Sequence, residues 1–108
     1  KGIFIIARRW QCTASYENVP HYIEHFQQSV LPELNQLKGF REAYILRRNL
    51  DAGVELTVMT FWETMDAIRS FAGEKVENAV VEPAAQAVLQ TFDTTVTHYE
   101  VVLNTGRR

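Results

Sequence analysis

The residues best suited to chemistry are a tryptophan and a histidine, each on a stretch with strand character. Trp62 ends the run at 54–62, and His98 sits midway along the run at 94–103. An imidazole among apolar neighbours can act as a base or a ligand near neutral pH, although hydrogen-bonded structural histidines are commoner. A large aromatic at a strand end is equally at home in a core or an interface. His21 and His25 stand one helical turn apart, a spacing that can bind a metal. No third ligand accompanies them, so no metal site is expected. Cys12 is the single cysteine, which excludes an internal disulfide and a cysteine cluster. With no CxxC neighbour and no evident base beside it, Cys12 reads as a packing residue. Arginines come in pairs at Arg8-Arg9, Arg47-Arg48 and Arg107-Arg108. They read as solvated strand ends and a polar tail, or as a basic rim that draws an anionic small molecule. There is no P-loop, GxGxxG or GxSxG, and no paired-carboxylate arrangement stands out.

The elements must come from 108 residues, 46% of them hydrophobic and 22% charged. That is enough for one domain with a single core, spanning 1–108 with a flexible tail at 104–108. A net charge of -2 offers no general attraction to nucleic acid or to an anionic membrane surface. No signal peptide is evident and no stretch approaches the ~20 apolar residues of a membrane helix. The expected compartment is a reducing cytoplasm.

Residues 3–10 read as a first strand, followed by a connection at 12–15. From Tyr16 to Leu37 the spacing is helical: Val19, Tyr22, Ile23, Phe26, Val30, Leu34 and Leu37 form one stripe. Pro20 suits a first turn. Pro32 removes a hydrogen bond and crowds the preceding turn, which predicts a kink near 29–32. Gly39 is a natural stop. Residues 40–48 and 54–62 form a hairpin around an Asp- and Gly-containing turn. Thr64 caps a short helix at 64–72 that Gly73 ends. A loop at 74–81 leads to a helix at 83–90, with Ala84, Ala87 and Val88 inward, and to a last strand at 94–103.

The order β-α-β-β-α-β is the ferredoxin-like pattern of an α+β protein. Right-handed crossovers give an antiparallel sheet in the order 4-1-3-2, which puts the two most apolar segments in the centre. Two helices cover one face only. The other face still carries large apolar groups on every strand, more than a monomer tolerates in water. A second copy packed sheet on sheet is the expected cover, giving a homodimer.

The Phe61-Trp62 strand end runs into Asp66-Ala67-Ile68-Arg69-Ser70-Phe71, and the chain closes on Thr97-His98-Tyr99-Glu100. With the element order, these residues resemble the dimeric α+β barrel proteins, and within them the antibiotic-biosynthesis-monooxygenase-like group. The resemblance implies a cofactor-independent monooxygenase acting on a small aromatic substrate, with no cofactor. The alternative is a non-catalytic homodimeric domain that binds a small ligand or a partner. In such relatives a Trp at the end of the third strand can line the cavity, which makes Trp62 and His98 the catalytic candidates. Arg9, Trp10, Tyr44 and Tyr99 are the substrate-binding candidates. The haem-degrading branch carries an Asn on the first strand and a His on the second helix. This chain has neither, so haem handling is the least favoured reading.

Overall fold

The computed structural model describes residues 4–106. Ile3 of the expected first strand and Arg107-Arg108 of the expected tail lie outside them. The chain folds as an α+β protein with one antiparallel sheet. The elements are β1 (Ile5–Ala14), α1 (Val19–His25), α2 (Leu31–Asn35), β2 (Phe40–Leu50), β3 (Gly53–Trp62), α3 (Met65–Ala72), α4 (Pro83–Gln86), β4 (Thr91–Phe92) and β5 (Thr97–Val101). The sheet runs β2-β3-β1-β4, with β5 also pairing β1. The central pair is therefore β1 and β3, as the apolar character of both segments predicts.

The fourth strand differs from the expected single run at 94–103. β5 pairs the first half of β1, from Ile5↔Val101 to Arg9↔Thr97, while β4 pairs Cys12 and Thr13. Between them the chain leaves β1 to bond the loop after α3. Ala79 N–H donates to Thr94 O at 2.9 Å, and Val96 N–H donates to Glu77 O at 2.8 Å. β1 also runs on to Ala14, through the stretch expected as a connection. The helix expected at 83–90 is only Pro83–Gln86, because the chain turns early and Gln90 N–H donates to Thr13 O at 2.7 Å. Its inward residue is Ala85, not Ala84 or Ala87.

The long helical stretch is broken at the place Pro32 predicts. Phe26–Val30 is a π-helical turn between α1 and α2, closed by Leu31 N–H to Phe26 O. One extra residue in the turn absorbs the crowding that Pro32 brings to the start of α2. A 3-10 turn, Tyr16–Asn18, precedes α1, with the Ser15 side chain accepting from Asn18 N–H. Thr64 caps α3 by accepting from Ala67 N–H at 3.0 Å. Gly39 has φ +96, and a Cβ there would sit 2.8 Å from Ala67 Cβ. Only glycine lets β2 begin so close to α3.

The core lies between the helices and the face of β3 that carries Val54, Leu56, Val58, Thr60 and Trp62. On that face Ile6 opposes Trp62, Arg8 opposes Thr60, Trp10 opposes Val58 and Cys12 opposes Leu56. The opposite, helix-free face carries Tyr44, Leu46 and Tyr99, each about half exposed, with Met59 and Phe61 between them. Tyr44 and Phe61 pack edge to face at 5.9 Å. No helix among the described residues is long and apolar enough to cross a membrane.

Candidate functional site

The register of three strands puts Thr60, Arg8 and His98 in one row across the helix-covered face. The row is polar in an apolar layer, and Arg8 is only 5% exposed. Its guanidinium donates from Nη1 to Val76 O at 2.7 Å and from Nη2 to Asn78 O at 3.0 Å. Nη1 also meets His98 Nε2 at 3.1 Å. Since Arg8 has only donors, His98 Nε2 must be the unprotonated acceptor nitrogen. The guanidinium further lies 5.8 Å from the centre of the Phe71 ring. Burial draws Arg8 down from the usual guanidinium range to about 10. His98 is lowered from 6.5, first by burial and then by the Arg8 charge. Both shifts follow from holding two basic groups together away from water.

Arg8 forms the floor of a pocket between helices and sheet, with a cavity volume of about 60 Å³ and a mouth partly open to solvent. Trp10, Tyr22, Phe26, Val58 and Phe71 supply much of its wall. Trp10 and Tyr22 lie 6.1 Å apart between ring centres. The π-helical turn matters here, because it keeps Phe26, Val30 and Leu34 all on the pocket side. At the mouth, His25 Nε2 lies 3.5 Å from Glu82 Oε1, tying α1 to the residue that precedes α4. Thr60 lines the pocket, and Trp62 Nε1–H donates to its Oγ1 at 2.9 Å.

The expected site residues are divided by the sheet. Trp10 lines the pocket, and its Nε1–H donates to Asp93 O at 2.7 Å. Trp62 is on the same side but fully enclosed, packed on Phe40 at 5.3 Å and on Phe71 at 5.9 Å. It reaches the pocket through two lining residues, Thr60 and Phe71. His98 stands behind Arg8, half-buried. Arg9, Tyr44 and Tyr99 occupy the helix-free face, so they cannot share a ligand with Trp10 within one chain. Arg8, Tyr22 and Thr60 are pocket residues the sequence reading did not single out. The available signal was alternation: Arg8 falls in step with Ile6, Trp10 and Cys12, the inward face of a central strand. Cys12 is buried and its thiol is pushed up to about 12, first by burial and then by Asp93, which removes it as a nucleophile. His21 is exposed and His25 is engaged with Glu82, so the two do not converge on a shared ligand position.

A split-βαβ sheet with a lined pocket under its helices defines the general class. The family model for antibiotic biosynthesis monooxygenase matches residues 4–82. The chain belongs to that family. Among solved structures, a haem-degrading protein from Mycobacterium tuberculosis is 16% identical with a TM-score of 0.67, covering 98% of this chain and 100% of that one. A dimeric ferredoxin-like protein from an uncultured marine organism is 10% identical with a TM-score of 0.62, covering 94% and 99%. A Streptomyces coelicolor monooxygenase in complex with nanaomycin D is 12% identical with a TM-score of 0.59, covering 98% and 92%. At these identities the likeness is one of fold. No curated protein sequence matches.

Proposed function

We propose that this protein is a homodimeric, cofactor-independent monooxygenase that takes a small aromatic substrate into the pocket above Arg8. The observation that carries the reading is the pocket itself, walled by aromatic rings with Arg8 and Thr60 on its floor. Small-molecule sites share that mix of apolar wall and few polar groups. Family membership and the monooxygenase among the structural neighbours add to it. The chemistry needs no added reductant. An activated CH₂ of an anthrone-type ring loses two hydrogens, one oxygen atom of O₂ becomes the new C=O, and the other leaves as water. The protein's part is to exclude water, to orient the ring against Trp10 and Tyr22, and to hold polar groups near its oxygens. Trp62 acts as a positioning residue through Thr60, and His98 through Arg8. Tyr44 lines a second, separate hollow on the helix-free face with Phe61 and Val101, whereas Arg9 and Tyr99 would meet a ligand if a second copy brought its pocket to that face. An oxygen electrode with a panel of hydroquinones and anthrones tests the reading. Uptake that falls on Trp10→Ala, with fold retained by circular dichroism, supports it; a flat trace across the panel counts against it.

A second reading is favoured by one observation: no base stands ready at the pocket floor, with Glu33, Glu82 and His25 lining it elsewhere. His98 Nε2 is engaged by Arg8, and burial raises Tyr22 far above neutrality. The protein would then bind its ligand without turning it over. A thermal-shift screen giving stabilisation by ring compounds with no oxygen consumption would select this alternative. Haem handling stays the least favoured use, and a Soret band on haem titration would restore it.

A further inference from the structure

Arg8 poses a question that its contacts with the loop after α3 do not answer. It is a buried cation, and none of the ion pairs among the described residues includes it. Buried charges are ordinarily paired, because an unpaired one is costly to take out of water. Backbone carbonyls, the His98 lone pair and the Phe71 ring supply dipoles but no counter-charge. A guanidinium has five donor hydrogens, and three hydrogen bonds account for three of them. Among the described residues no polar side-chain atom sealed from solvent lacks a partner. The unbonded Nε–H therefore faces accessible space, and the space Arg8 borders is the pocket. Two further polar residues line the pocket. The hydroxyl hydrogen of Thr60 is free to donate, because its oxygen already accepts from Trp62. Tyr22 is 4% exposed and lines the pocket.

We infer that the pocket selects ligands carrying an anionic oxygen, a carboxylate, phenolate or enolate on an aromatic frame, and that Arg8 Nε–H and Nη2–H, with the Thr60 hydroxyl, are its receptor. The inference rests on the pocket being a ligand site, and it narrows the ligand to an acidic one. The anion would supply the missing counter-charge through charge-assisted, fork-like hydrogen bonds. Its charge would offset the cost of burial that draws Arg8 down to about 10. Of the two acids at the mouth, Glu82 is paired with His25, and Glu33 is exposed to solvent. Neither opposes the anion at the floor.

The test uses two probes of one shape and different charge, 2-naphthoate and 2-naphthamide, titrated calorimetrically into the native protein near neutral pH. The naphthoate is expected to bind about tenfold or more tightly than the amide, the difference a hydrogen bond to a charged group makes. In Arg8→Gln the naphthoate should fall to the affinity of the amide, while Arg8→Lys keeps a preference. Equal affinities in the native protein overturn the inference while leaving the pocket reading intact. No binding of either probe overturns both. A naphthoate preference that survives Arg8→Gln overturns Arg8 as receptor. The native comparison needs no variant, so it decides the charge preference even where Arg8→Gln fails to fold.

Discussion

Arg8 occupies a place where packing alone favours a hydrocarbon, midway along the inner face of the central strand. Its near neighbours make the consequences measurable. His98 is held neutral, with its titration lowered from 6.5 by burial and then by Arg8, against a raising influence from Glu77. A lowered base contributes stability that is whole above the ordinary value and lost as pH falls below it towards the depressed one. Thermal unfolding midpoints should therefore drop as pH goes down through 6.5, and the slope should flatten in His98→Gln. An unchanged slope would show that His98 titrates alike in the folded and the unfolded chain. Thr60 offers a second case. Thr60→Val leaves the enclosed Trp62 N–H without an acceptor, a loss of about 1–3 kcal/mol. Urea titration should show it, with Thr60→Ser close to the native protein. The sequence displayed Trp62 as a strand end correctly. It did not display Arg8 as buried, because two adjacent arginines look like the wet end of a strand until the strand is seen to continue to Ala14.

Elements position these side chains through a few irregular points. Pro32 announced a break, and the break took the form of a π-helical turn that keeps the apolar stripe in phase on both sides. The strap between α3 and α4 was the least legible segment. Its residues have no period, and its place is set by carbonyls, at Val76 and Asn78, that any residue would supply. The same absence of pattern hid β4, which is only two residues long. Glycines at element ends can be ranked by what surrounds them. Gly39 and Gly73 both have positive φ, +96 and +88, but only Gly39 has a neighbour within 4 Å of where a Cβ would stand. Gly73→Ala should cost about 1 kcal/mol for its backbone conformation, and Gly39→Ala roughly 2–3 kcal/mol, strain and collision together. Equal losses on denaturant titration would mean that α3 shifts freely away from β2.

For the whole molecule, the strand order was readable because the two segments apolar on both faces could only be the inner pair. The helix-free face supports the same logic. Tyr44, Leu46 and Tyr99 stay about half exposed in a single chain. Light scattering at micromolar concentration is expected to give about twice 12.4 kDa, and the double variant Tyr44→Asp, Leu46→Asp should return the mass of one chain. A native mass of one chain would refute the homodimer. What no pattern in the residues could convey is how that face meets its partner, since complementarity between two copies depends on side-chain positions and not on their polarity.

The interrupted fourth strand bears on how the molecule avoids unwanted company. A foreign strand seeking to extend the sheet at this border finds two short lengths, Thr91–Phe92 and Thr97–Val101, separated by a stretch already committed to the loop after α3. Short, broken borders make poor templates for ladder growth. At this side the protein is guarded against fibril-like stacking by a gap in its own weave.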